Sequence, residues 1–225
     1  MASFDPPVIL AIIAASRAAA EREKFEKDWK ESVDTRAKTW VKLRGTQSKY
    51  LPQLQWEASV VEYVMFLYKE TKPPKNLKPS KVYPSRALGP NIPLFGPRFT
   101  PPTLNDHRLR ISENLKPEIG YLRPINIIHP VFYSDIGKCP HCGSEDVSWD
   151  SWTTSGSREV HGLRREETAL GYKLKHKDCS PDEGSTVPET RVIATTNAVF
   201  WAKWEHWKIP RTLTKLFASV QRLIN

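Results

Sequence analysis

Apolar and charged residues follow helical spacing over the first third of the chain. One block runs from Pro6 to about Trp40, with proline in the first turn and then mainly Ala, Glu, Lys and Arg, which favours a helix with a solvated face. A second block, Leu54 to Tyr68, repeats apolar residues at three- and four-residue steps, so its apolar face is predicted packing surface. Residues 1–70 are therefore predicted to form a helical N-terminal region.

Prolines crowd the next part of the chain. Twelve of the 19 prolines lie between Lys72 and Pro130. Each removes a backbone donor and favours an extended conformation in the residue before it. We therefore predict a proline-rich linker over residues 71–124.

From Ile125 onwards the pattern changes to short stretches that suit strands. Ile125 to Tyr133 is apolar, Val147 to Trp149 alternates, and Thr154 to Ser157 reads as a turn. Arg158 to Leu163 is a candidate returning strand. Leu170 to His176 alternates most clearly. A small β-rich module is predicted here.

Two faces are predicted for that last strand. Leu170, Tyr172, Leu174 and His176 share one face, and three basic residues share the other. With two nearby arginines, these lysines are the candidate nucleic-acid contacts: Arg164, Arg165, Lys173, Lys175 and Lys177.

The three cysteines indicate a metal site. Cys139 and Cys142 are separated by two residues and followed by Gly143, which suits a turn that directs two sulfurs at one ion. Three cysteines cannot all pair, so a metal in a reducing compartment fits better than a disulfide framework. Cys179, with His176 before it, offers the other two ligands. His161 and His141 stay open as alternatives to His176.

Such a site predicts bound Zn²⁺ in a structural role. Four protein ligands leave no open position for water, so the metal would stabilise the fold. A deaminase-type catalytic zinc needs a proline before the first cysteine of its Cys-x-x-Cys pair, and Lys138 stands there. A nuclease or transposase remnant would need clustered carboxylates, and five acids show no recognisable arrangement: Asp146, Asp150, Glu159, Glu166 and Glu167. The chain is predicted not to be an enzyme.

The C-terminal segment carries aromatic and apolar stripes. Phe200, Trp204 and Trp207 are spaced for one helical face and are interpreted as an anchor against the β-rich module. Residues 211–225 follow an amphipathic helical pattern. A partner could dock on this helix, and a protein-interaction module is the alternative function. The predicted fold class is α+β, in which a small zinc ribbon with the C-terminal helix (residues 125–225) follows the linker and the N-terminal helices.

Composition agrees with an extended, basic chain. The hydrophobic fraction is 39%, and Lys and Arg exceed Asp and Glu by 34 − 25 = 9. Such a charge attracts phosphate backbones, DNA or RNA included, although many basic proteins bind neither. The apolar run Val8 to Ala15 is too short to span a membrane and lacks a basic leader. A nuclear or cytoplasmic location with no membrane association is predicted.

The cysteine module resembles an uncharacterised zinc-ribbon-like domain family of fungal, notably basidiomycete, and often transposon-associated proteins. Cys139, Cys142 and Cys179 match its cysteine positions, and Arg158 to Gly162 and Leu170 to Leu174 are similar to its strands. His176 departs from the family, which has a cysteine there. The resemblance covers at most residues 125–225. The predicted function is a non-enzymatic structural zinc-binding module, and the resemblance implies by association that it belongs to a nucleic-acid-associated, transposon-like protein.

Overall fold

The computed structural model has an α+β fold, with three α-helices and six strands among the residues that it describes. The chain divides into two compact units, Met1–Ile125 and Asn126–Asn225. None of the helices in the described part of the chain is long and apolar enough to cross a membrane. The structure describes residues 3–45, 51–71, 88, 91–103, 106, 117–133, 136–161, 166–179, 189–197 and 200.

The first unit contains all three helices: α1 (Pro6–Ala15), α2 (Ala19–Arg44) and α3 (Leu51–Thr71). The helical periodicity is confirmed, but the block after Pro6 forms two helices. The α1 helix stops at Ser16, whose hydroxyl donates to the Ile13 carbonyl at 2.6 Å, and Ala18 is extended with ψ of 142°. The break lets α1 and α2 each pack against α3.

Aromatic side chains from distant parts of the sequence form the core of the first unit. Phe4 meets Trp56, Tyr63, Phe95 and Phe99 edge-on, with ring centroids 5.3 to 6.4 Å apart. The Tyr63 hydroxyl donates to the Pro93 carbonyl at 2.6 Å and accepts from the Phe95 amide at 3.2 Å. Such edge-to-face pairs add to the stability gained from burial alone.

Part of the proline-rich region therefore belongs to this core. It contributes the short strand β1 (Arg98–Phe99), in which Phe99 is fully buried. A 3-10 helix (Pro117–Tyr121) follows, and its Tyr121 is exposed. Residues 72–87 and 107–116 lie outside the described residues, so a linker over the whole of 71–124 stays a prediction.

The second unit is built around one long central strand, β5 (Glu166–Cys179), which pairs with each of the other strands of the unit. These are β2 (Ile125–Ile128), β3 (Ser148–Trp152), β4 (Arg158–His161) and β6 (Glu189–Ala194). The strands and the turn predicted in this region are confirmed, with Gly156 N–H donating to the Thr153 carbonyl across the turn at 3.0 Å.

Strand pairing gives β5 two different faces. Leu174 lies opposite Trp149 on β3 and Ile193 on β6, and it is buried in the core of the unit with Ile128, Ile136 and Phe200. The predicted alternation is confirmed, because Leu170, Tyr172, Leu174 and His176 are buried, whereas Lys173 and Lys175 are half-buried and Lys177 is exposed. Phe200 packs as the predicted aromatic anchor; Trp204 and Trp207 lie outside the described residues.

Candidate metal centre

The first half of the centre is a tight turn that contains Cys139 and Cys142. The Cys139 amide donates to the Ser144 carbonyl, and the Gly143 amide donates back to the Cys139 carbonyl, both at 2.8 Å. Gly143 has a φ of 73°, a left-handed conformation that glycine adopts without steric cost. These two hydrogen bonds close the turn, and the sulfurs of Cys139 and Cys142 lie within 4.8 Å of each other.

Backbone amides of this turn point at a cysteine sulfur. Burial of Cys139 acts to raise its pKa, but the amide N–H groups of Cys142 and His141 donate to its sulfur and lower the pKa to about 7. Donors aimed at sulfur favour the thiolate, which is the form that binds metals. Such amide-to-sulfur contacts prepare Cys139 to act as a metal ligand.

The second half of the centre lies at the end of β5, where the strand is irregular. Residues three apart in a regular strand point to opposite faces, so His176 and Cys179 would diverge. The pairing of β5 with β6 shifts register between these two residues, and such an irregularity re-aims a side chain. Both residues consequently reach the same point.

The four predicted ligand residues come together. The nearest ligand atoms of Cys139, Cys142, His176 and Cys179 all lie within 4.8 Å of one another. The sulfurs of Cys139 and Cys179 are 3.7 Å apart, and the Cys142 sulfur is 3.5 Å from His176 Nδ1. Nδ1 is therefore the imidazole nitrogen that faces the cluster.

The sulfur–sulfur and sulfur–nitrogen separations just given fit one tetrahedral ion. Zinc binds sulfur at about 2.3 Å and imidazole nitrogen at about 2.0–2.1 Å, and at the tetrahedral angle two sulfurs are then about 3.8 Å apart and a sulfur and a nitrogen about 3.6 Å. Both values agree with the observed 3.7 Å and 3.5 Å. A disulfide needs about 2.05 Å between sulfurs, and all three cysteines are free.

The cluster is mostly shielded from solvent. The exposed fractions of Cys139, Cys179 and His176 are 1%, 0% and 5%, whereas Cys142 is exposed. Burial, together with the neighbouring Cys139 thiol, raises the pKa of Cys179 to about 12. Three crowded sulfurs cannot all carry negative charge without a cation, because like charges at this distance disfavour ionisation. A bound metal cation would remove this conflict.

Arg191, a basic residue beside the cluster, was not predicted from the sequence. Arg191 lies opposite His176 in the strand register, and its Nη1 donates to His141 Nδ1 at 3.2 Å. His141 is exposed and stands outside the ligand cluster, so it is not the fourth ligand in this structure. The arginine places a positive charge next to a site that three thiolates would make negative. Its position depends on strand pairing, which no local motif signals.

The other candidate residues lie elsewhere or outside the described residues. Lys173, Lys175 and Lys177 occupy the opposite face of β5 from His176. Arg164, Arg165, the side chain of His161 and the proposed docking helix 211–225 are not among the described residues, so these predictions stay predictions.

No family model, curated protein or solved structure matches this chain.

Proposed function

We propose that the second unit is a non-enzymatic structural module that holds one Zn²⁺ through Cys139, Cys142, Cys179 and Nδ1 of His176. The observation that carries the proposal is the spacing of the four ligand atoms, all within 4.8 Å of one another. Bound zinc would tie the turn at 139–144 to the end of β5 and neutralise the crowded thiolates.

The ligand chemistry favours zinc over harder ions. Thiolate and imidazole are soft or borderline ligands that suit zinc, whereas Ca²⁺ and Mg²⁺ require oxygen ligands. Four protein ligands complete a tetrahedron, so no position remains for a reactive water. The role we propose is consequently structural.

The acidic residues support a non-enzymatic role. Asp146, Asp150, Glu159 and Glu166 are exposed, and buried Glu167 accepts a hydrogen bond from Asn126 Nδ2 at 2.9 Å. Within the described part of the chain, the cysteine and histidine cluster is the one group of three or more potential ligand residues. Carboxylates arranged to hold a catalytic metal pair would have supported a nuclease instead.

We further propose that the module works in a nucleic-acid-associated protein, in the nucleus or cytoplasm. The resemblance of residues 125–225 to a transposon-associated fungal family supports this context, as does the basic composition of the chain. Arg164 and Arg165 remain candidate contacts on the β4–β5 connection.

Native mass spectrometry of the full chain with and without a chelator tests the zinc proposal. We expect one zinc ion per chain. We also expect chelation to increase amide exchange in peptides from 136–179, because metal binding and folding are coupled, while α2 and α3 stay protected. A chain purified without zinc that fails to take it up, or a second unit equally protected after chelation, would contradict the proposal.

A further inference from the structure

The face of the central sheet opposite His176 carries a row of lysines. Lys173, Lys175 and Lys177 alternate with the buried residues of β5 and point away from the core. Their register partners, which share this face, are Ser148 on β3 and Val192 and Ala194 on β6. We call this surface, made of β5 with its flanking strands, the lysine face.

The spacing of the lysines is fixed by the fold. At Leu174 and Lys175, β5 is paired with β3 on one side and β6 on the other, which restrains its backbone there. Alternate residues of a regular strand lie about 6.6–6.8 Å apart, which is the spacing expected for Lys173 and Lys175. Lys177 follows where β5 becomes irregular, two residues further along the chain. Each lysine is therefore within about one Debye length of the next at physiological salt.

Within the described part of the chain, this charge has no neutralising partner. Among the described side chains, no carboxylate lies within ion-pair distance of these three lysines. Lys173 Nζ donates to Thr154 Oγ1 at 3.0 Å, which positions the lysine without neutralising it. Asp150, an exposed acid on β3, accepts from the Ser151 hydroxyl at 2.8 Å. Three like charges in a row repel one another, and a bound polyanion would relieve the repulsion.

The composition of the lysine face favours a linear polyanion over a membrane surface as the ligand. Residues 126–225 contain 13 Lys and Arg against 12 Asp and Glu, so the unit as a whole is nearly neutral and its positive charge is local. Val192, 50% exposed, is the large apolar residue that accompanies the lysines. Membrane-surface binding uses an extended apolar face together with basic residues. A narrow basic row matches a narrow, evenly charged chain better.

The residues of the lysine face favour duplex over single-stranded nucleic acid as the ligand. Proteins that bind single strands stack bases on aromatic side chains. Trp149 lies opposite Leu174, and Trp152 lies opposite Tyr172, so both tryptophans are on the core side of β3. Thr190, the other exposed β6 residue on this side, is bonded through its hydroxyl to the Lys177 carbonyl at 3.3 Å. Side chains of this surface would contact the phosphate backbone and would not recognise the bases.

We infer that the lysine face binds the phosphate backbone of duplex nucleic acid without sequence preference. The inference rests on the proposed nucleic-acid context but not on the identity of the metal. A duplex carries one charge per roughly 1.7 Å of its axis, and each phosphate neutralised contributes about −0.9 to the slope of log affinity against log salt. Three lysine contacts therefore predict a slope of about −2.7 from this surface.

Fluorescence anisotropy of the full chain with a short mixed-sequence DNA duplex, between about 50 and 200 mM salt, tests the inference. Lys175→Gln and Lys177→Gln should each reduce the magnitude of the slope by about 0.9 and weaken binding roughly eightfold at 0.1 M salt. Lys138→Gln is the matched control, because Lys138 is paired with Glu145 at 2.8 Å, and its binding should be unchanged.

Every other outcome counts against the inference. Unchanged duplex binding in the two lysine variants would place the contact elsewhere on the chain. Tighter binding to the separated single strand would overturn the assignment to duplex. Lysine-dependent binding to anionic phospholipid vesicles or to polyglutamate, with none to DNA, would assign the face to another polyanion. Zinc content, measured on each variant, keeps these outcomes separate from failure of the metal site.

Discussion

Replacing His176 by alanine is the sharpest test of the ligand set, because a matched histidine lies close by. His176 is 5% exposed and faces the cysteines, whereas His141, between Cys139 and Cys142, is exposed and contacts Arg191. We expect His176→Ala to weaken zinc binding strongly and His141→Ala to leave it nearly unchanged.

The size of the effect can be estimated from the four-ligand geometry. Structural zinc contributes about 10–16 kcal/mol in zinc-finger peptides, so one ligand of four accounts for about 2.5–4 kcal/mol. At about 1.4 kcal/mol per tenfold, zinc affinity should fall roughly 60- to 700-fold. The stabilisation by zinc at a fixed free concentration falls by the same free energy.

Competition with a chromogenic chelator measures this loss of affinity directly. His176→Cys provides the rescue, because a fourth thiolate restores a tetrahedral site, and it should bind zinc far more tightly than His176→Ala. Equal zinc affinity in wild type and His176→Ala would refute the proposed role of His176. A loss in His141→Ala as large as that in His176→Ala would refute the assignment of the fourth ligand.

Three further predictions concern other residues of the second unit. Gly143→Ala should lower the stability of the zinc-bound unit by about 1–2 kcal/mol in denaturant titrations, because its φ is 73°; no loss would show that the turn tolerates a side chain. Gly171→Ala should lower the free energy of unfolding by about 1–3 kcal/mol, because the added Cβ would lie 2.8 Å from Thr195 Oγ1. The control Gly137→Ala should leave it unchanged, because no atom lies within 4 Å of the position of the added Cβ. Burial lowers the pKa of His129 to about 3, so its neutral form contributes stability above pH ~6.5. This contribution is lost as the pH falls towards 3, with about 2 kcal/mol lost by pH 5. His129→Asn should flatten this part of the curve of unfolding free energy against pH, and an unchanged curve would contradict the assignment of this pH dependence to His129.

The ligand set was predictable because its signals are local. Two cysteines two residues apart and followed by glycine indicate a turn, and His176 with Cys179 repeats that separation. Alternation along Leu170 to His176 was predictable for the same reason, since a strand buried on one face alternates apolar and polar residues. The structure brings these separate signals together at one point.

Features that depend on tertiary contacts were not predictable. The break between α1 and α2 follows from packing. Arg17 lies within the break, and its guanidinium carbon is 4.8 Å from the centroid of the Phe25 ring and 5.8 Å from that of the Phe66 ring. The irregularity between His176 and Cys179 requires knowledge of the β6 register.

The core position of Phe99 shows the same limit within the proline-rich region. Proline content favours an extended chain, yet an extended chain can still bury an aromatic side chain. Phe99 packs against Phe4, which lies nearly one hundred positions earlier in the chain, with the two ring centroids 5.4 Å apart. No periodic pattern links residues at such a separation.

X-ray absorption at the zinc edge of the purified full chain tests the central claim most directly. The predicted first shell contains three sulfurs at about 2.3 Å and one nitrogen at about 2.0–2.1 Å. A shell of nitrogen and oxygen ligands alone, or one with fewer than three sulfurs, would contradict a site formed by Cys139, Cys142, Cys179 and His176.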